Sequence, residues 1–127
     1  MTPEVEHAID EIELAFPGAE VTRADDGEGG AYVFVADVAL SKIYRQTETW
    51  IGFRITHTYP YADVYPHFVR EDLCRADGEP LGPGMSRGSF RNRPTIQLSR
   101  RSNHLNPARD TALLKLQKVV RWLNNRS

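Results

Sequence analysis

The most reactive side chains in this sequence are one thiol, Cys74, and four imidazoles. A cysteine thiolate is a nucleophile that a nearby histidine can activate, and His67 and His104 are the candidate bases. The alternative is an unreactive thiol that packs as a small apolar side chain. His57, His67, Cys74 and His104 could also converge on a metal, but none has the close paired spacing of zinc ligands. We therefore expect no metal and no cofactor.

Five arginines crowd into one stretch of the chain and form a candidate binding surface for an acidic partner. They are Arg87, Arg91, Arg93, Arg100 and Arg101. The alternative is a loop that is merely solvated. Nucleic acid is the weaker expectation, because Phe90 is the one aromatic residue interleaved with these arginines. Ser99 and His104 lie in the same stretch, but no acidic residue is placed by motif to orient the imidazole, so we expect ordinary turn hydrogen bonds.

Length and composition predict a single globular domain over residues 1–127. The chain is 40% hydrophobic, which is enough to form a core. Its formal net charge of −1 shows no overall excess of basic residues of the kind that binds nucleic acid or membranes. One cysteine excludes an internal disulfide, and no signal peptide or membrane-length apolar run is present. We expect a cytoplasmic protein with no membrane partner.

Hydrophobic periodicity predicts the elements that position these residues. Val5, Ile9, Ile12 and Phe16 share one face of a predicted helix over residues 3–16, with Thr2 as cap. Strands are predicted over residues 19–23, 32–38 and 49–55, the first two joined as a hairpin by the glycine-rich "ADDGEGGA". The two Tyr-Pro pairs of "THTYPYADVYPHFVRED" predict a rigid turn into a fourth strand.

The second half of the chain is predicted to hold a long irregular segment, residues 74–94, and a closing helix. Asp110 is the predicted cap of this helix. Its apolar stripe consists of Leu113, Leu116, Val120 and Leu123, widened by Leu114, Val119 and Trp122. The predicted fold class is α+β: an N-terminal helix, a four-stranded antiparallel meander, a long flap and a C-terminal helix.

This order of elements resembles that of ubiquitin-conjugating (UBC) enzymes and their non-catalytic relatives, the RWD domains. The stretch "YPYADVYP" is similar to the Tyr-Pro turn of the family, with longer spacing. The enzymes carry Ile-Cys-Leu at a fixed interval before Trp-Ser-Pro-Ala, and here Ile96-Gln97-Leu98 stands at that interval before Leu105-Asn106-Pro107-Ala108. The resemblance therefore implies that Gln97 occupies the position of the catalytic cysteine.

A carboxamide cannot form the thioester on which the chemistry of these enzymes depends. The family's His-Pro-Asn motif is also absent; Asn92 is the nearest substitute, but it lies outside any such motif. The stretches "LCRADGEPL" and "QLSRRSNHLNPARDTALLKLQKVVRWL" resemble a divergent bacterial branch without the usual cysteine, associated with antiphage defence.

Three functions follow from the resemblance. The favoured one is a non-catalytic component of a bacterial ubiquitin-like modification pathway, which binds the ubiquitin-like protein or its activating enzyme. Its expected binding surface consists of Arg87, Arg91, Asn92, Arg93, Ser99, Arg100, Arg101 and His104. The alternatives are an active conjugating enzyme that uses Cys74, and an RWD-like protein-interaction module unrelated to tagging.

Overall fold

A computed structural model describes residues 1–126, which form two helices and one antiparallel sheet of six strands. Ser127, the last residue of the predicted domain, lies outside the described residues. The elements are α1 (Pro3–Ala15), β1 (Val21–Asp25), β2 (Ala31–Ala39), β3 (Glu48–Ile55), β4 (His67–Val69), β5 (Met85–Phe90), β6 (Arg93–Leu98) and α2 (Ala112–Asn124). The strand order is β1-β2-β3-β4-β6-β5. The α+β class is confirmed, whereas the predicted number of four strands is wrong within residues 1–126.

The first helix and the first hairpin form where the local sequence predicts them. The hydroxyl of Thr2 accepts a hydrogen bond from the Val5 N–H at 3.2 Å, and Pro3 opens α1. The turn between β1 and β2 is closed by Asp26, whose carboxylate accepts from the N–H groups of Glu28 and Gly30. Gly27 and Gly29 adopt positive φ in this turn, which few other residues tolerate.

The sheet has a helix-covered face and an open face. On the covered face, Val33, Val35, Ile51, Phe53 and Leu98 are fully buried against α1 and α2. On the open face, Phe34, Gly52, Phe68, Gln97 and Ser86 stand opposite one another in one row across β2, β3, β4, β6 and β5. The strict alternation of strand side chains therefore separates the core from a second, accessible face.

The segment predicted to be irregular, residues 74–94, contains β5 and the start of β6. Both Arg91 (φ 51°) and Asn92 (φ 64°) have positive φ, as the two central residues of a type I′ hairpin turn require. The composition of β5, MSRGSF, does not indicate a strand, because half of its residues are exposed at a sheet edge. Pairing with β6 and burial of the last side chain of the strand, Phe90, hold β5 in place.

The closing helix begins one residue later than predicted. Thr111, and not Asp110, is the cap: its hydroxyl accepts from the Leu114 N–H at 3.1 Å. The Asp110 carboxylate instead accepts from the Asn106 N–H at 2.8 Å. The buried face of α2 consists of Ala112, Lys115, Leu116, Val119 and Leu123, so the predicted apolar stripe is rotated to include a lysine. No helix within residues 1–126 has the length and apolar content to cross a membrane.

Candidate functional site

Gln97 lies in the middle of β6 with its side chain on the open face of the sheet. It pairs with Phe68 of β4 and Ser86 of β5, and it is half-buried. Its Nε2 donates a hydrogen bond to Ser99 Oγ at 3.2 Å. A Cβ added to Gly88 would lie 2.9 Å from Gln97 Cβ, so the hairpin partner packs directly on this side chain. The carboxamide is thus packed between strands and carries no nucleophilic atom.

Cys74 lies in the connection after β4, where Gln46 holds it. The Cys74 N–H donates to Gln46 Oε1 at 3.1 Å, and Gln46 Nε2 lies 3.6 Å from Cys74 Sγ. The candidate base His67 is enclosed in the core, and the other candidate, His104, is exposed. Within residues 1–126 no hydrogen bond joins Cys74 to either imidazole. The arrangement required for an activated thiolate is therefore not assembled in this conformation.

His67 is a core residue that the sequence suggested as a base or ligand. Its ring packs on Phe53 with centroids 5.0 Å apart, and neither ring nitrogen has a hydrogen-bond partner among residues 1–126. Complete burial, aided by the nearby Lys115 charge, lowers the pKa of His67 to about 3. The imidazole is therefore neutral near pH 7.

A polar network that the sequence did not reveal joins Lys115, Asp63 and Ser102. Lys115 Nζ lies 3.1 and 3.0 Å from the two Asp63 carboxylate oxygens and 2.8 Å from Ser102 Oγ. The Ser102 hydroxyl and N–H both donate to Asp63, at 2.8 and 2.7 Å. Burial alone would raise the pKa of Asp63, but hydrogen bonds from Ser102 and Lys115 lower it.

A serine beside a lysine suggests a hydrolytic dyad, but this network opposes that chemistry. The ammonium donates to Asp63 and Ser102 and has no lone pair with which to accept the serine proton. The network instead joins Ser102 and Asp63, from two separate connections, to Lys115 of α2. Its one sequence signal is the position of Lys115 on the apolar face of the helix, three residues after Ala112 and four before Val119.

The five clustered arginines are exposed but do not form one group, because four of them stack on aromatic rings from different parts of the chain. The guanidinium Cζ of Arg91 lies 4.7 Å from the centroid of the Tyr32 ring. The Cζ of Arg93 lies 5.3 and 5.6 Å from the ring centroids of Phe34 and Trp50. Together with Asn92, these residues form what we call the hairpin-tip surface, on the open face of the sheet. Arginine stacked on aromatic rings keeps its charge accessible while its plane is held in place.

Phe90 anchors this surface beneath the arginines. Its ring stacks on Phe68 at 4.9 Å and contacts Phe34 at 5.5 Å. The ring lies over Gly52, where an added Cβ would come within 2.7 Å of it. The hairpin of β5 and β6 therefore bends over the open face, and the close approach depends on a glycine.

The remaining members of the cluster lie elsewhere. Arg100 stacks on Trp122 at 5.0 Å and Arg101 on Tyr65 at 4.1 Å, both beyond the end of β6. Arg87 is an exposed residue of the edge strand β5, opposite Ile96 of β6. Ser99 accepts from Gln97, its N–H donates to Gly84 O at 2.8 Å, and His104 has a positive φ of 55°. The aromatic partners of these arginines come from distant parts of the chain, so their interleaving is invisible in the local sequence.

Within residues 1–126, no three His, Cys, Asp or Glu side chains lie close enough together to hold a metal ion. No family model matches the chain, and neither curated proteins nor solved structures provide a match.

Proposed function

We propose that this chain is a non-catalytic, UBC/RWD-like component of a bacterial ubiquitin-like modification pathway, of the kind associated with antiphage defence. In this role it binds the ubiquitin-like protein or its activating enzyme and carries no acyl group. The observation that supports the proposal is the packing of Gln97. At the position where the resemblance requires a thiol, a carboxamide is half-buried in β6 and hydrogen-bonded to Ser99.

The single thiol gives little support to the alternative of an active enzyme. Cys74 is engaged by Gln46 through both its N–H and its sulfur, and among residues 1–126 neither His67 nor His104 is hydrogen-bonded to the thiol as an activating base would be. A role in binding is consistent with a chain that exposes arginines at the hairpin next to Gln97 and carries no nucleophile at that position.

The hairpin-tip surface is the part of the open face that best suits a protein partner. Arg91 and Arg93 are exposed above half-buried aromatic rings, a combination enriched in the energetically important parts of protein interfaces. Among residues 1–126 neither arginine has an acidic partner. A complementary acidic patch on the ubiquitin-like protein or the activating enzyme would supply one.

The test is intact-mass analysis after incubation with ATP and with an activating enzyme and ubiquitin-like protein encoded by neighbouring genes. We expect no covalent adduct on the wild-type chain or on Cys74→Ala. Isothermal titration calorimetry of the chain against each partner should show binding of at least one. The double variant Arg91→Glu/Arg93→Glu should weaken that binding by about tenfold or more.

Lys42→Glu/Arg109→Glu is the matched control, since both residues are exposed and lie outside the hairpin-tip surface. An adduct that hydroxylamine removes and Cys74→Ala abolishes would establish the active enzyme instead. Failure of both partners to bind the wild-type chain would leave an RWD-like interaction module without a role in tagging.

A further inference from the structure

A second basic surface, separate from the hairpin tip, lies along the C-terminal half of α2. Four cationic side chains, Arg100, Lys118, Arg121 and Arg126, line an open groove of about 800 Å³ around Trp122. We call it the α2 groove. It contains no residue of the hairpin-tip surface, although Arg100 also belongs to the binding surface expected from the sequence, and its ligand can be tested without the proposed pathway.

Trp122 holds two of these cations in place. Arg100 and Arg126 lie over its ring at 5.0 and 4.3 Å. Arg126 Nη2 also donates to the carbonyl of Pro83 at 2.6 Å, and a Cβ on Gly84 would lie 2.8 Å from the indole. The guanidinium groups are thus ordered before any ligand arrives, which lowers the entropic cost of binding.

The groove is positive because its charges are not neutralised. Four arginines elsewhere in the chain, Arg23, Arg54, Arg70 and Arg75, each contact an aspartate or glutamate. Among residues 1–126 none of the four groove cations has such a partner, and the buried Nε of Arg126 has no hydrogen-bond acceptor. Unpaired, preorganised guanidinium groups are suited to bind carboxylate or phosphate.

The surroundings of the groove decide between these two anions. α1 packs against α2 and carries Glu4, Glu6, Asp10, Glu11 and Glu13 without a lysine or arginine. A long polyphosphate extending from the groove would meet a chain that carries this acidic helix and a formal net charge of −1. The cations over Trp122 also occupy the ring on which a base would stack.

We propose that the α2 groove binds a short acidic segment of a partner polypeptide. The segment places aspartate or glutamate side chains against Arg100, Lys118, Arg121 and Arg126, and so supplies the carboxylates that these cations lack among residues 1–126. Because the recognition is electrostatic, binding weakens as salt increases.

Fluorescence anisotropy with a labelled peptide of alternating aspartate and glutamate tests the proposal. We expect the wild-type chain to bind it at low salt and to ignore a matched peptide of asparagine and glutamine. The double variant Lys118→Glu/Arg121→Glu should weaken binding by about tenfold or more. Lys42→Glu/Arg109→Glu changes the net charge equally outside the groove and should retain wild-type affinity.

Circular dichroism establishes that each variant is folded, and Lys118→Gln/Arg121→Gln replaces the charge reversal if that variant does not fold. Absence of binding to the acidic peptide would overturn the proposal, as would equal binding of the neutral peptide or equal losses in groove and control variants. Length-matched single-stranded or duplex DNA serves as the competing probe. Tighter binding of DNA that the groove variants abolish would assign the surface to nucleic acid instead.

Discussion

At the scale of single residues, burial changes what His67 can do. The ring is enclosed on the covered face of the sheet, without hydrogen-bond partners for its nitrogens among residues 1–126. Because its pKa falls from 6.5 to about 3 in the folded state, the unfolded chain binds the extra proton first as pH decreases. His67 therefore opposes folding in mildly acidic solution.

We predict that the wild-type chain loses about 2 kcal/mol of unfolding free energy between about pH 7.5 and about pH 5 through His67 alone. His67→Leu removes the titrating ring and the unsatisfied polar atoms, so it should abolish this loss while keeping the core filled. Urea unfolding at the two pH values measures both effects.

His57→Gln is the control for this prediction, because His57 is exposed. It should leave the pH dependence of unfolding as in the wild type. If the unfolding free energy of His67→Leu decreases between the two pH values as much as that of the wild type, His67 is not the source of the loss. The imidazole would then become protonated in the folded protein, and the core would accommodate the charge.

At the scale of elements, the hairpin of β5 and β6 determines which part of the open face is accessible. Its turn needs positive φ at Arg91 and Asn92, and its tip is anchored by Phe90 on Gly52. The contact between the Phe90 ring and the backbone of Gly52, which has no Cβ, therefore fixes the hairpin to β3. Loosening that contact should free the tip while the covered face remains intact.

We predict that Gly52→Ala destabilises the chain by about 1–3 kcal/mol, because the new methyl group would collide with the Phe90 ring. Amide hydrogen exchange should accelerate most in β5 and in the first residues of β6. Gly18→Ala is the matched control, since nothing lies within 4 Å of a Cβ at that position. If exchange accelerates equally in β2 and β6, the hairpin is not an independently opening unit.

The sequence predicts best those elements whose position is determined by residues close to one another in the chain. α1 and the first hairpin are specified by neighbours such as Thr2, Val5 and Asp26, so their positions were predicted within a few residues. β5 depends on pairing with β6, which no periodicity in MSRGSF reveals. Likewise, Trp122 meets Arg100 and Lys115 meets Asp63 only after the chain folds.

At the scale of the whole molecule, charge is distributed unevenly. The acidic helix α1 and the cations of the α2 groove belong to one chain with a formal net charge of −1. Like charges gathered in one groove repel one another, and this repulsion is greatest when little salt screens it. The groove is therefore maintained at some cost to the stability of the free protein.

We predict that Lys118→Glu/Arg121→Glu raises the unfolding free energy at low salt by about 0.5 kcal/mol, because it relieves this repulsion. Concentrated sodium chloride should remove the gain. Thermal unfolding at the two salt concentrations measures it, with Lys42→Glu/Arg109→Glu as the control. A loss of stability at low salt would mean that these cations interact favourably with α1.

The strand order has a further consequence for solubility. The sheet ends at β1 on one side and β5 on the other, so each edge exposes unpaired backbone groups that a neighbouring molecule could extend. Arg23 stands in the middle of one edge and Arg87 in the middle of the other. Adding a strand from a second molecule at β5 would crowd the exposed Arg87 guanidinium group. Arg87 therefore opposes edge-to-edge association at β5, whereas the Arg23 charge at the other edge is neutralised by Asp10 and Glu13 of α1.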